Sequence, residues 1–406
     1  MNKSIILFDD DNWSALLPLT YTRPICELRV GIMTIKEKWE KHLGIPASYI
    51  TQDYLSEKYP IEIKEDNYII SSSVLPTIKL VKLINQLGMN EAILVGDELI
   101  AARMNEKQFE RLVEDEGINE LDGIDISKEE DTLLTIARPH HIFQYNDVEL
   151  QKDFDILIKG RKSQPISDTN NIIAAENIFL EEGAKVEFAT LNASKGPIYL
   201  GKNTEIMEGA IVRGGLALCE GAVVKMGAKI YGATTFGPYS KVGGEVNNSV
   251  LTGYSNKGHE GFLGNSVLGE WCNLGADTNT SNLKNNYASV KLWSFDDERF
   301  IDTGLQFCGL IMGDHSKTGI NTMLNTGTVV GVNANIFGSG YPRNFVPSYS
   351  WGGASGFKTY LAKKSMEVAE IVMSRRNVPL LEADVKILES IYYWTSKYRV
   401  WEEKAK

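Results

Sequence analysis

Large apolar residues recur at every sixth position from Leu200 through Ile206, Val212, Leu218, Val224, Ile230 and Phe236 to Val242, with glycines frequent between them. Two further blocks continue the pattern: Phe262, Leu268 and Leu274, then Met312, Thr318, Leu324, Val330 and Ile336. A period of six suits neither the 3.6-residue turn of an amphipathic helix nor the two-residue alternation of a half-buried strand. It suits a triangular coil, in which each six-residue unit supplies one short flat strand and one turn. The repeated side chain points into the prism, and Gly or Asn takes turn positions of unusual backbone conformation. Residues 166–345 are therefore expected to form a left-handed parallel β-helix.

The repeat is broken twice, between Val242 and Phe262 and over roughly Asp277 to Leu310. A solenoid can eject a loop without losing its stack, so these breaks are where it would carry chemistry. Ahead of the repeats, residues 1–165 read as an α/β domain with a doubly wound sheet. Strands are expected at Ile5 to Phe8, Asn67 to Ile70 and Ala92 to Val95, alternating with helices at Ile32 to His42 and Thr77 to Leu87. Behind them, residues 346–406 show helical apolar spacing from Ser355 to Arg376 and again from Leu381 to Trp401, with Pro379 restarting the chain. A helical hairpin that caps the solenoid or joins subunits is expected, packed by Trp351-Gly352-Gly353 and by the aromatics of Ile391-Tyr392-Tyr393-Trp394.

A chain of 406 residues is long enough for two domains and a small third. Its net charge of −11 argues against a nucleic-acid or anionic-membrane surface, so an anionic substrate must meet a local basic pocket. Cys26, Cys219, Cys272 and Cys308 form no C-x-x-C pair, which suggests neither a disulfide framework nor a thiolate zinc site and points to the reducing cytoplasm. The apolar start is short and is broken by Asp9-Asp10-Asp11; it reads as a first buried strand, not a signal peptide or membrane span.

The first break contains His259, flanked by Gly258 and Gly261. Acetyl transfer to an amine needs a base of near-neutral pKa to take the proton as nitrogen attacks a thioester, and imidazole meets that need. A surface histidine without a role is the alternative. His315, in Gly313-Asp314-His315, reads as a turn histidine.

The run Gly258-His259-x-x-Phe262-Leu263-Gly264, followed by Leu274-Gly275-Ala276 and Thr278-Asn279-Thr280-Ser281-Asn282, resembles the acetyltransferase domain of a bifunctional enzyme family. That family is N-acetylglucosamine-1-phosphate uridylyltransferase/glucosamine-1-phosphate acetyltransferase, and the likeness runs ungapped from Glu245 through Asn282. It implies His259 as general base, Asn282 and Asn273 as substrate-binding amides, and Ala276 beside acetyl-CoA. It also implies substrate contacts at Glu245 and Asn247, and a homotrimer whose sites lie between subunits. An amide can donate to an acyl oxygen or sugar hydroxyl without bringing a charge. Three of the family's phosphate contacts are replaced, a lysine by Asn247 and two tyrosines by Phe262 and Leu283. Lys257 and Lys284, beside matching positions, are candidates to supply the missing cations.

In the N-terminal domain, Leu17-Pro18-Leu19-Thr20-Tyr21-Thr22-Arg23-Pro24 resembles a stretch of the sugar-1-phosphate nucleotidyltransferases, which implies nucleotide contacts from Thr20 and Arg23. In that family a glycine-rich phosphate loop precedes it. Here Asp9-Asp10-Asp11-Asn12-Trp13-Ser14 occupies that place, and its carboxylates would repel a triphosphate unless a metal intervened. Ile25 replaces the lysine expected after Pro24. The family's metal-binding aspartate after a central strand has two candidate places, one holding Ser73 and the other Gly96-Asp97, so Asp97 is the candidate for nucleotide and Mg²⁺. The chain is similar to a divergent bacterial group with this short N-terminal domain and a helix-capped β-helix.

The resulting expectation is an enzyme of sugar-nucleotide biosynthesis. It would transfer acetyl from acetyl-CoA to a hexosamine 1-phosphate, with UTP-dependent sugar-1-phosphate nucleotidylyl transfer in the N-terminal domain. Two alternatives are weighed. Zinc-dependent carbon dioxide hydration needs three converging histidines, and only His259 and His315 lie in the solenoid. In the other, the N-terminal domain merely binds a sugar nucleotide and the β-helix is a trimeric scaffold or acylates another amino sugar.

Overall fold

The computed structural model describes residues 3–113, 121–127 and 133–402. They fall into two compact units, the described residues of 3–16, 23–28 and 33–137 in one and those of 17–22, 29–32 and 138–402 in the other.

The first unit is α/β, as expected. Its strands are β1 (Lys3–Phe8), β2 (Ala47–Ile50), β3 (Asp66–Ser71), β4 (Glu91–Val95), β5 (Glu98–Met104) and β6 (Asp122–Asp125), in the order β2-β1-β3-β5-β4-β6. Ile5, Ile6 and Leu7 are all fully buried, the continuous apolar run of a strand covered on both faces. Helix Ile35–Leu43 begins with a capping box between Thr34 and Glu37 and ends at Gly44, whose φ of +68° suits glycine. The sheet is mixed: β5 runs antiparallel to β3 and to β4. The strand-helix alternation read from the sequence did not include β5, because β4 reverses into it through the two-residue turn Gly96-Asp97 with no helix between.

The second unit is a β-solenoid of three parallel sheets, the longest with nine strands. Each coil adds one strand to each sheet in register, as in Ile198↔Leu216↔Thr234. The six-residue ladder from Leu200 to Val242 is buried in one core with Leu268, Leu274, Met312, Leu324, Val330 and Ile336. In the second block the register is corrected by one residue: Leu263 lies over Val246 in the core, and Phe262 pairs with Glu245 on the outer face. The first break ejects no loop. Residues 242–264 stay in the coil through strands Glu245–Asn247, Val250–Gly253, Asn256–Lys257 and Phe262–Gly264, with shortened turns that bring Val246 only four residues after Val242. The second break does leave the stack, as an antiparallel hairpin of Lys291–Ser294 and Arg299–Asp302.

One corner of the prism repeats a left-handed backbone position coil after coil, at Gly221, Tyr239, Tyr254, Trp271 and His315, with φ between +52° and +65°. From Tyr239 onward the rings at this corner stack, Tyr254 and Trp271 most closely at 4.3 Å between centroids. His315 is thus a buried turn histidine, as read from the sequence.

The C-terminal helices are Ala362–Ser374 and Glu382–Trp394. The first starts later than the apolar spacing suggested, because Ser350–Gly353 and Gly356–Thr359 pair as a hairpin whose Gly352 and Gly356 have φ of +146° and +124°. Trp351 lies in that hairpin against Phe337 and Tyr360, away from the packing expected for it. Ile391 is buried and Tyr392 packs on Tyr349, whose hydroxyl donates to the Leu388 carbonyl at 2.6 Å. Among the described residues no helix is long and apolar enough to cross a membrane.

Candidate functional site

Asn256–Lys257 and Phe262–Gly264 belong to different sheets, so Gly258-His259-Glu260-Gly261 turns a corner of the prism. The corner is crowded. A Cβ at Gly261, whose φ is +116°, would lie 2.2 Å from the Thr278 carbonyl oxygen, and one at Gly244 would lie 2.8 Å from that of His259. Only glycine allows this approach. His259 itself is exposed.

Lys257 is not on the surface beside it. It occupies an inward rung, above Val242, and is 1% exposed. Its Nζ donates to the carbonyl oxygens of Gly243 at 3.0 Å and His259 at 2.6 Å. Burial pulls its pKa down to about 8. An ammonium held this way ties the main chain of His259 to the coil beneath. Lys257→Met keeps the length and removes the charge, so relief of the buried ion offsets the loss of two hydrogen bonds, each worth about 1 kcal/mol. The expected outcome is a thermal midpoint close to that of the parent together with a roughly tenfold drop in any His259-dependent turnover, the equivalent of about 1.4 kcal/mol of lost positioning. Calorimetry and steady-state kinetics on the same preparation check both halves.

His259, Asn273 and Ala276 line one cleft of about 910 Å³. Five cations share it, Lys225, Lys241, Lys317, Arg375 and Arg376, and no carboxylate does. Arg376 donates to Asn256 Oδ1 at 3.2 Å. Lys241 is held below the usual lysine range first by burial and then by repulsion from Arg376, Lys225 and Arg375, and burial lowers Lys317 to about 8. Tyr254 and Trp271 of the stacked corner form part of the wall. A concentration of positive charge that depresses its own members favours an anion.

The other carried-over residues lie elsewhere on the solenoid. Asn247 is opposite Gly264, and Asn282 packs over that glycine, where a Cβ would lie 2.6 Å from Asn282 Nδ2. Asn282 Nδ2 donates to Asn265 Oδ1 at 2.8 Å. Glu245 accepts from the Tyr231 hydroxyl at 2.7 Å and lines a second cleft, of about 760 Å³, with Lys195, Arg213 and Lys229. Those three cations escaped sequence reading because a six-residue period selects inward positions. Lys229 is the ladder neighbour of Glu245 one coil earlier, so stepping back by one coil would have found it. Lys284 donates to the Ser289 carbonyl at 2.7 Å and lines a third cleft.

In the first unit two members of the aspartate run are tied down. Asp9 accepts from the Ile25 N–H at 2.8 Å and the Thr51 hydroxyl at 2.6 Å, and burial raises its pKa to about 7. Asp10 accepts from the hydroxyls of Ser71 and Ser73. The run is therefore a hydrogen-bonded shelf at the carboxyl ends of β1 and β3, the edge where open α/β sheets bind ligands. Arg23 is buried in this unit, and Asp97 is exposed at the tip of the β4–β5 hairpin. Thr20 is buried in the unit that contains the solenoid. Among the described residues no group of three or more acidic, histidine or cysteine side chains gathers as a metal cluster, and Asp97 stands at the hairpin tip as a single carboxylate.

Residues 5–162 match the family model for sugar nucleotidyl transferases. The chain is 35% identical over 89 residues to the bifunctional protein GlmU of Methanocaldococcus jannaschii, which covers 22% of this chain and 21% of that protein. It is 28% identical over 171 residues to a bifunctional sugar-1-phosphate nucleotidylyltransferase/acetyltransferase of Sulfurisphaera tokodaii, covering 41% of this chain and 40% of the relative. A putative uncharacterized acetyltransferase of Escherichia coli K12, YaiX, is 25% identical over 178 residues, covering 41% of this chain and 67% of its own length. The chain thus spans about a fifth of the first of these relatives and two-fifths of the second. Residues 5–162 thus resemble a sugar nucleotidyl transferase domain, and the relatives carry the names nucleotidylyltransferase and acetyltransferase, consistent with a transferase.

Proposed function

We propose that the solenoid transfers acetyl from acetyl-CoA to the amine of a hexosamine 1-phosphate, glucosamine 1-phosphate being favoured, with His259 as general base. The observation that carries this reading is the cleft that joins His259 to five cations and no carboxylate in a chain of net charge −11. Coenzyme A is the anionic partner that such a cleft suits, since its nucleotide end bears a 3′-phosphate and a pyrophosphate. Ala276 leaves room for the pantetheine arm. As the amine nitrogen attacks the thioester carbonyl, His259 takes its proton; the carbon–sulfur bond breaks, and the proton passes to the departing thiolate. Asn273 donates to the acyl oxygen as charge develops there.

Glu245, Asn247 and Asn282 are the acceptor-side residues in this reading, and Lys229 and Arg213 take the sugar phosphate in place of the family's lost contacts. Their place on other parts of the solenoid favours a homotrimer, in which one copy's His259 cleft meets the acceptor face of the next. The four buried free thiols fit the reducing cytoplasm.

For the N-terminal unit the family match supports UTP-dependent nucleotidylyl transfer. The aspartate shelf in place of a glycine loop supports the second reading, sugar-nucleotide binding without turnover. Pyrophosphate release from UTP and N-acetylglucosamine 1-phosphate in the presence of Mg²⁺ separates the two.

The acetyl-transfer reading is tested by thiol release from acetyl-CoA with glucosamine 1-phosphate as acceptor. Reversing charge at Arg375 and Arg376 to Glu is expected to raise KM for acetyl-CoA at least tenfold, about 1.4 kcal/mol, with kcat little changed. An unchanged KM would sink the assignment of the cleft.

A further inference from the structure

The third cleft, of about 1150 Å³, is framed by the ejected hairpin, residues 341–357 and the end of the C-terminal segment at 397–401, and shares no lining residue with the His259 cleft. Its floor is aromatic. Trp293 lies flat on Phe345, 4.3 Å between centroids with 7° between planes, and Tyr398 meets both rings edge-on. Phe300 and Tyr341, which line the same cleft, are 41% and 58% exposed. The charges along the cleft have one sign: Lys284, Lys291, Arg343 and Lys397 line it, and no carboxylate does.

Two of these cations are already engaged, Lys397 with Glu298 and Lys284 with the Ser289 carbonyl. Asp302, opposite Lys291 in the hairpin, is held below the usual carboxylate range first by hydrogen bonds from the Gly304 N–H and the Ser289 hydroxyl and then by the charges of Lys291 and Lys284. Arg343 has no ion pair among the described residues. The Trp293 Nε1–H, in the floor, is buried and has no acceptor.

Exposed rings beside a one-signed cationic rim match a ligand that joins a flat aromatic group to an anion. A bare phosphate would leave the rings in water, and a neutral ring would leave the cations unanswered. We propose that this cleft is a second ligand site, separate from the acetyl-transfer cleft, that takes a nucleoside phosphate. The base stacks on the Tyr341 and Phe300 wall, and the phosphate meets Arg343 and Lys291. Base stacking on an aromatic side chain is worth about 1–3 kcal/mol, and Arg can hold two phosphate oxygens at once.

Isothermal titration of the full chain with ADP and UDP tests this, with adenosine and ribose 5-phosphate as the ring-only and anion-only probes. Both nucleotides are expected to bind, and each half-ligand at least tenfold more weakly. Lys291→Glu with Arg343→Glu, both exposed positions, should weaken nucleotide binding at least tenfold while leaving the KM for acetyl-CoA unchanged. Tyr341→Ala, which removes an exposed ring, should weaken it severalfold. The proposal is overturned by no nucleotide binding at millimolar concentration, by ribose 5-phosphate binding as well as ADP, or by nucleotide binding that the charge reversal leaves intact, which would place the nucleotide elsewhere.

Discussion

His259→Ala is expected to lower acetyl-CoA-dependent thiol release by about 10²- to 10⁴-fold, the range that a positioned general base contributes. The side chain is exposed at a glycine-bound corner, so its removal opens no cavity and the fold should keep its thermal midpoint. The loss should fall on kcat, and KM for acetyl-CoA should be spared, because the cations that would hold the nucleotide end lie elsewhere in the cleft. Single-turnover kinetics at several pH values check this. A variant that retains parental turnover would return His259 to the role of a surface histidine.

The second large effect concerns stability. Phe236 is fully buried, between Leu218 and Leu251 of neighbouring coils. Phe236→Ala is expected to cost about 3–5 kcal/mol through lost transfer energy and the cavity left behind. Phe262→Ala, on the outer face, should cost less than about 1 kcal/mol. Denaturant melts of the two variants therefore distinguish the inward register at Leu263 from the one that the six-residue count alone would place at Phe262.

That slip shows what kind of information the sequence carried. Where the coil keeps six residues per side, from Leu200 to Val242, periodicity gives the inward face directly, because each apolar side chain meets its like one rung away. Where turns shorten after Val242, counting fails, and only the paired registers Val246↔Leu263 and Val242↔Lys257 recover the rungs. Lys257 could not be assigned inward from its type, since a lysine beside a glycine turn reads as solvated. The residues that the family likeness singled out, His259, Asn273 and Ala276, line one cleft. The cations that complete it were not legible, because Lys225, Lys241 and Arg376 are brought together by coil stacking and by a helix more than a hundred residues away. β5 and the aspartate shelf were hidden for a related reason, since a two-residue reversal and the serines at the end of β3 acquire meaning only once the strands are neighbours.

A solenoid behaves nearly as a one-dimensional chain of rungs, each coupled only to the next. In the ladder that runs Ile206, Val224, Val242, Lys257, Leu274, one rung carries an ammonium in place of a methyl-bearing side chain. At that rung the coils are joined by directional bonds from the ammonium to the Gly243 and His259 carbonyls instead of by apolar contact, so cohesion at the coil that carries His259 depends on geometry more than on buried area.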